Sequence, residues 1–125
     1  MKLTEEQKNN ILTAFEQIMA NTDVICNCNF SLEQLADMTG YNSRYVSQVI
    51  NDTYKQNFRT ILNNYRIKEA EKRLLDIPHF GNYTINAIAN SVGYKSHSNF
   101  ILLFKKQVGI TPSLYQKMAK EKYNK

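Results

Sequence analysis

Two stretches of this chain carry one pattern, and that duplication limits the fold more than any other feature. Laying Ser31 on Thr84 pairs Leu32 with Ile85, Leu35 with Ile88, Ala36 with Ala89, Gly40 with Gly93 and Tyr41 with Tyr94. One extra residue in the second copy then aligns Val46 with Phe100, Val49 with Leu103 and Ile50 with Phe104. Each copy reads as a short amphipathic helix, a glycine turn and a second helix, which is a helix-turn-helix. The glycine closes the turn because it adopts a left-handed backbone at little cost. One such unit is common in α-domains. Two at matching spacing predict an all-α chain of two helix-turn-helix subdomains joined by a long helix.

The remaining segments lie before, between and after these copies. Thr4-Glu5-Glu6-Gln7 is a capping box, and Ile11, Leu12, Phe15, Ile18 and Met19 follow at helical spacing, so a first helix runs to about Asn21. Residues 21–30 are Asn-rich without a period and read as a loop. Ser31 to Gln34 is a second capping box, opening a helix with Leu32, Leu35, Ala36 and Met38 inward. The next helix starts near Asn42 or Ser43 and buries Val46, Val49 and Ile50. Its opposite face carries Arg44, Ser47, Gln48 and Asn51.

From Asn57 to Asp76 no Gly or Pro interrupts a stripe of Phe58, Ile61, Leu62, Tyr65, Ala70 and Leu74. Twenty such residues would span roughly 30 Å. Pro78 and Gly81 then break the pattern. In the second copy Ile85, Ile88, Ala89 and Val92 face inward, followed by Phe100, Leu103 and Phe104. Ser98, Ile101, Leu102 and Lys105 face outward, with His97 at the helix start. Thr111-Pro112 opens a last helix, with Leu114, Tyr115 and Met118 on its apolar side. The predicted domain covers 1–125, divided into a first subdomain (4–56), a linker helix (57–76) and a second subdomain (77–123).

Charge is distributed unevenly. Up to Asp76 nine Lys/Arg stand against ten Asp/Glu, whereas from Ile77 onward seven Lys face a single Glu. A basic half of this kind suits a polyanion, with nucleic acid the first candidate. The competing explanation is a solvated tail, since four of those lysines lie at or beyond Lys117.

Other classes find little support. No paired carboxylates, nucleophile–base spacing or glycine-rich phosphate loop appears, so neither an enzyme nor a cofactor is expected. Cys26 and Cys28 are too close to staple distant segments, and His79 and His97 lack ligand spacing, so no metal is expected. The thiols read as reduced and partly buried, with redox sensing as the alternative. The polar start of the chain and the lack of an apolar run near ~18 residues predict a soluble, cytoplasmic protein without a membrane segment.

A physical reason for two units on one helix is the DNA period. Successive major-groove faces on one side of the duplex lie ~34–36 Å apart, which a linker of that order bridges. At this point the chain resembles the AraC family of bacterial transcription regulators, from about Thr4 to Gln116. The resemblance rests on Leu35-Ala36, Gly40-Tyr41, Arg66-Ile67 and Ala70. It rests more strongly on Ile88-Ala89, Gly93-Tyr94, Phe104-Lys105-Lys106, Gly109, Thr111-Pro112-Ser113 and Tyr115. It implies seven helices and a role in transcription as a sequence-specific binder of double-stranded DNA, with RNA polymerase as a partner. Many members also carry a sensor domain or take an effector, so the chain reads either as a stand-alone regulator or as the DNA-binding end of something longer, with such a domain or effector as a further candidate partner.

By position, the resemblance assigns base contacts to Arg44, Ser47 and Gln48 in the first unit and to His97, Ser98, Asn99 and Leu102 in the second. Lys105 and Lys106 are placed for phosphates. Arg44 would take guanine and Gln48 adenine, while Leu102, with Ile101 beside it, would meet thymine methyls. Departures from the family pattern are Leu102 for a groove-facing arginine, Asn51-Asp52 for a basic pair, and Lys55 for the usual glycine. Arg44 could instead pair with Asp37 or Asp52, and Ile101 and Leu102 could be core. Arg66 is expected to bond the backbone of a neighbouring helix. The other class of function is a helical protein-interaction module that keeps this fold.

Overall fold

The computed structural model describes residues 2–125, and among them there are helices and no strand. Nine helices follow one another: α1 Glu5–Met19, α2 Thr22–Ile25, α3 Leu32–Thr39, α4 Ser43–Tyr54, α5 Phe58–Leu75, α6 Ile77–Phe80, α7 Ile85–Ser91, α8 His97–Val108 and α9 Pro112–Tyr123. Seven were expected. The two extra helices are α2 and α6, single turns in segments whose composition reads as loop or breaker. Local capping makes both: the Asn21 side chain accepts from the Val24 N–H and the Asp76 side chain from the His79 N–H. Pro78 starts its turn instead of stopping one, because its missing N–H would be unpaired there anyway.

The longer helices are also capped locally. Thr4 and Gln7 form both halves of a capping box. Ser31, Thr84 and Thr111 each accept the backbone N–H three residues on. Gly40 and Gly109 end α3 and α8 in left-handed conformation.

Two cores result. Ile11, Phe15, Met19, Ile25, Phe30, Leu35, Ala36, Val46, Val49 and Ile50 close the first with Phe58, Ile61 and Leu62 of α5. Ile67, Ala70 and Leu74, further along the same helix, close the second with Ile88, Ala89, Val92, Tyr94, Phe100 and Phe104. Helix α5 is therefore shared, its buried stripe passing from one core to the other near Tyr65. That residue is 39% exposed, not inward, because it sits at the changeover. Met38 is likewise outward at 51% exposure: α3 has only two turns, and Leu35 and Ala36 define a buried arc that Met38 misses. Leu103 is half-buried.

Candidate nucleic-acid interface

Helix α4 presents the first set of expected contact residues. The Asn42 side chain accepts from the Arg44 N–H at 2.8 Å and starts the helix. Val46, Val49 and Ile50 anchor one face, so Arg44 and Gln48 are exposed on another and Ser47 is half-buried. Arg44 and Gln48 line a shallow concavity with Asn42, Ser43 and Tyr45. Among the described residues no ion pair involves Arg44, so neither Asp37 nor Asp52 neutralises it.

Helix α8 presents the second set on a different chemical footing. Its cap is Ser96, which accepts from the Asn99 N–H, and Phe100 and Phe104 anchor it in the core. His97 is half-buried, with Nε2 2.9 Å from Oδ1 of Asn90 on α7, which joins the two helices of the unit. Ser98 is exposed, 3.4 Å from the Ser96 hydroxyl. Ile101 and Leu102 point away from the core, Leu102 at 68% exposure. Lys105 and Lys106 are exposed in the last turn of α8, where a cation also complements the helix dipole. Asn99 is exposed too, but it lies toward α5, lining a cleft with Leu103.

Arg66 holds the two units together. Only 2% exposed, it donates from Nε to the Ile25 carbonyl at 2.6 Å and from Nη2 to the Asn27 carbonyl at 2.8 Å, and so pins the α2 region of the first unit. Its guanidinium stands 5.5 Å from the ring centroid of Tyr94 in the second unit. Tyr94 in turn donates its hydroxyl to Asn63 Oδ1 at 2.8 Å. Gly93 has φ +101°, and a Cβ there would lie 2.9 Å from Arg66 Nε and 3.0 Å from the Cys26 carbonyl oxygen. The expectation that Arg66 serves the backbone is met, with a short helix and its following loop as the recipients.

Burial pushes the Arg66 guanidinium below its ordinary value, Tyr94 opposes this, and nearby Arg59 adds to it by like-charge repulsion. Burial pushes the Tyr94 phenol up to about 12. Gln107 donates to the Asn64 carbonyl at 3.3 Å, and Lys95 reaches Asn29 at 3.4 Å across the seam. Lys95 and Asn63 carried no distinguishing signal in the sequence, because each gains its meaning from a partner far along the chain, and Arg59 gains its own only from the cleft it borders.

Both cysteines are free thiols, and burial raises Cys26 above its ordinary value, leaving it protonated and poorly nucleophilic. No group of three or more potential ligands gathers among the described residues. No described helix is long and apolar enough to cross a membrane.

A family model for a helix-turn-helix domain, of the AraC type, matches residues 35–118. An uncharacterized HTH-type transcriptional regulator, YtdP of Bacillus subtilis, is 29% identical over 90 residues. Those cover 72% of this chain but only 11% of that protein's length. In fold, the chain is similar to the C-terminal domain of AraT, a response regulator from Geobacillus stearothermophilus, with a TM-score of 0.71. Identity is 24%, and 94% of this chain and 88% of that one are covered. The DNA-binding domain of AdpA, a global transcriptional factor whose structure is in complex with a target DNA, superposes with a TM-score of 0.70 at 18% identity. It covers 90% of this chain and 94% of its own.

Proposed function

The chain belongs to the AraC-type helix-turn-helix family, and on that premise we propose that it binds double-stranded DNA sequence-specifically as a transcription regulator. Its fold is that of AraC-type DNA-binding regulators, a non-enzymatic class. The observation that carries the proposal is the pairing of α4 and α8. Each is the second helix of its helix-turn-helix, anchored on one face and bearing an exposed face without ion pairs among the described residues, and both units pack on α5. The DNA complex of AdpA, a fold neighbour, supports the same use of the fold.

In this proposal units 4–56 and 77–123 seat α4 and α8 in adjacent major-groove segments, with 57–76 between them. Helix α5, at 18 residues, is about 27 Å long. The widths of the units it joins supply the rest of the ~34–36 Å groove repeat. Arg44 reads guanine and Gln48 adenine through bidentate hydrogen bonds, each worth ~1–3 kcal/mol of discrimination, with Ser47 beside them. On α8, His97 and Ser98 face bases near the helix start, while Asn99, expected among them, lies toward the α5 side of the helix. Leu102 meets a thymine methyl, and Lys105 and Lys106 hold phosphates. RNA polymerase is the downstream partner, and a sensor domain or effector supplies the input.

Selection of sites from random duplexes tests this. Two half-sites about one turn apart are expected. Arg44→Ala should relax preference at one base pair, and Lys105→Ala should weaken all sequences alike. Binding unchanged by both substitutions would overturn the residue roles. No retention of any duplex at low salt would favour a protein-interaction module instead, with exposed Ile101 and Leu102 as its contact.

A further inference from the structure

The seam between the units forms a cleft lined by Arg59, Asn63, Arg66, Tyr94, Lys95 and Asn99, among others. No carboxylate lines it. Among the described residues none of its three cations has an ion pair. Arg66 meets only carbonyl dipoles and an aromatic face, so its full charge persists beneath the cleft floor. Arg59 and Lys95 are exposed at its edges. Three like charges round one cleft repel each other, and an anion seated among them removes that repulsion.

Position identifies the anion. Ser96, the cap of α8, and Asn99, one turn further on, both line the cleft, so it is continuous with the start of the helix assigned to the second major-groove segment. From the other side Cys28 and Arg59 bring in the first unit's loop and the first turn of α5. A duplex spanning α4 and α8 would carry its intervening backbone past this seam.

We propose that the cleft seats backbone phosphate of the duplex segment lying between the two major-groove contacts, with Arg59 and Lys95 as the contacting cations and Arg66 as the buried charge behind them. This rests on the DNA-binding function proposed above. It makes the seam itself a contact and gives DNA a direct hold on the relative setting of the two units. Phosphate contacts fix register without reading bases, so the cleft would position the duplex rather than select it.

The test uses the whole chain and a selected duplex across a range of salt. Arg59→Ala and Lys95→Ala alter exposed residues, and Lys117→Ala on α9 controls for loss of one positive charge elsewhere. Each cleft substitution should lower the slope of log affinity against log salt by about one. Each should weaken selected and random duplexes by the same factor, about tenfold, while Lys117→Ala changes little. Ethylation of phosphates midway between the half-sites should interfere with the native chain and not with the double cleft variant.

If neither cleft substitution exceeds the control while Arg44→Ala still relaxes selectivity, the cleft assignment is overturned and the DNA-binding reading stands. Failure of the native chain to bind any duplex overturns both. Inorganic phosphate alone, titrated by NMR at the Arg59 and Lys95 amides, separates a free-anion site from a backbone seat. Saturation below millimolar concentration would place a small phosphorylated ligand there and overturn the duplex assignment.

Discussion

Arg66 shows how much one side chain can decide. Removing it leaves the Ile25 carbonyl without its donor in a buried place and the Asn27 carbonyl in a half-buried one, and hydrogen bonds to charged groups are worth more than neutral ones. Arg66→Met should therefore destabilise by ~2–4 kcal/mol in urea unfolding, and Arg66→Lys should recover only part of this because an ammonium lacks the fork. Gly93→Ala faces two obstacles, positive φ and a Cβ pressed against Arg66 and the Cys26 carbonyl. Gly109→Ala faces only the first, with open space around it. The loss at Gly93 should exceed the roughly 1–2 kcal/mol that left-handed backbone alone imposes, while Gly109→Ala should stay within it.

Tyr94 adds a pH dependence. Its folded value of about 12 lies above the ordinary 10, so between them the unfolded chain loses a proton that the fold retains. Stability from this group is complete below pH 10 and is lost as pH rises toward 12. Tyr94→Phe should flatten that alkaline limb in melts taken at successive pH values, and should cost about 1 kcal/mol at neutral pH through the lost bond to Asn63. An alkaline limb unchanged in Tyr94→Phe would rule out Tyr94 as its source.

At the scale of elements, the end of α4 is strained. Lys55 has φ +57°, alone among the described non-glycine residues in being positive, at the left-handed cap where the family resemblance predicts glycine. Left-handed backbone disfavours L side chains by about 1–2 kcal/mol, and glycine gives back about 0.5–1 kcal/mol through its freer unfolded chain. Lys55→Gly should thus raise stability by ~0.5–1 kcal/mol, read as a higher denaturant midpoint. Helices α4 and α8 differ in chemistry despite their shared pattern. One exposes Arg44 and Gln48; the other exposes Ile101 and Leu102 and carries two lysines in its last turn. In the proposed function the first unit chooses bases and the second grips the backbone. Leu102→Arg should then add guanine preference at one position of the second half-site in a repeat selection.

Across the whole molecule, the two cores share α5 and meet at the Arg66–Tyr94 seam. Such coupling predicts one cooperative unfolding transition for the native chain, coincident by far-ultraviolet circular dichroism and tyrosine fluorescence. Arg66→Met should separate it into two, because the shared helix would remain while the seam contacts would not. Coincident transitions in that variant would show that α5 alone couples the cores. The same molecule-wide view applies to charge. A protein neutralising six to ten phosphates of a duplex loses roughly 10³–10⁵ in affinity between 50 and 200 mM salt, so selection experiments belong at stated ionic strength.

Much of this was legible in the sequence because it is local. Caps at Thr4, Ser31, Thr84 and Thr111 act over three residues, the glycine turns act on their own backbone, and apolar stripes at helical spacing need only an interior to face. Those features determine an all-helical chain with two similar units and a shared helix, and the same motifs carry the family. The departures have local causes that composition hides: single capped turns at α2 and α6, and a buried arc too narrow for Met38. Tertiary structure alone decided the seam. Arg66 reaches carbonyls 41 and 39 positions away, and Lys95 a side chain 66 positions away. No local periodicity encodes such pairs, because only packing both cores on α5 brings them within hydrogen-bond range.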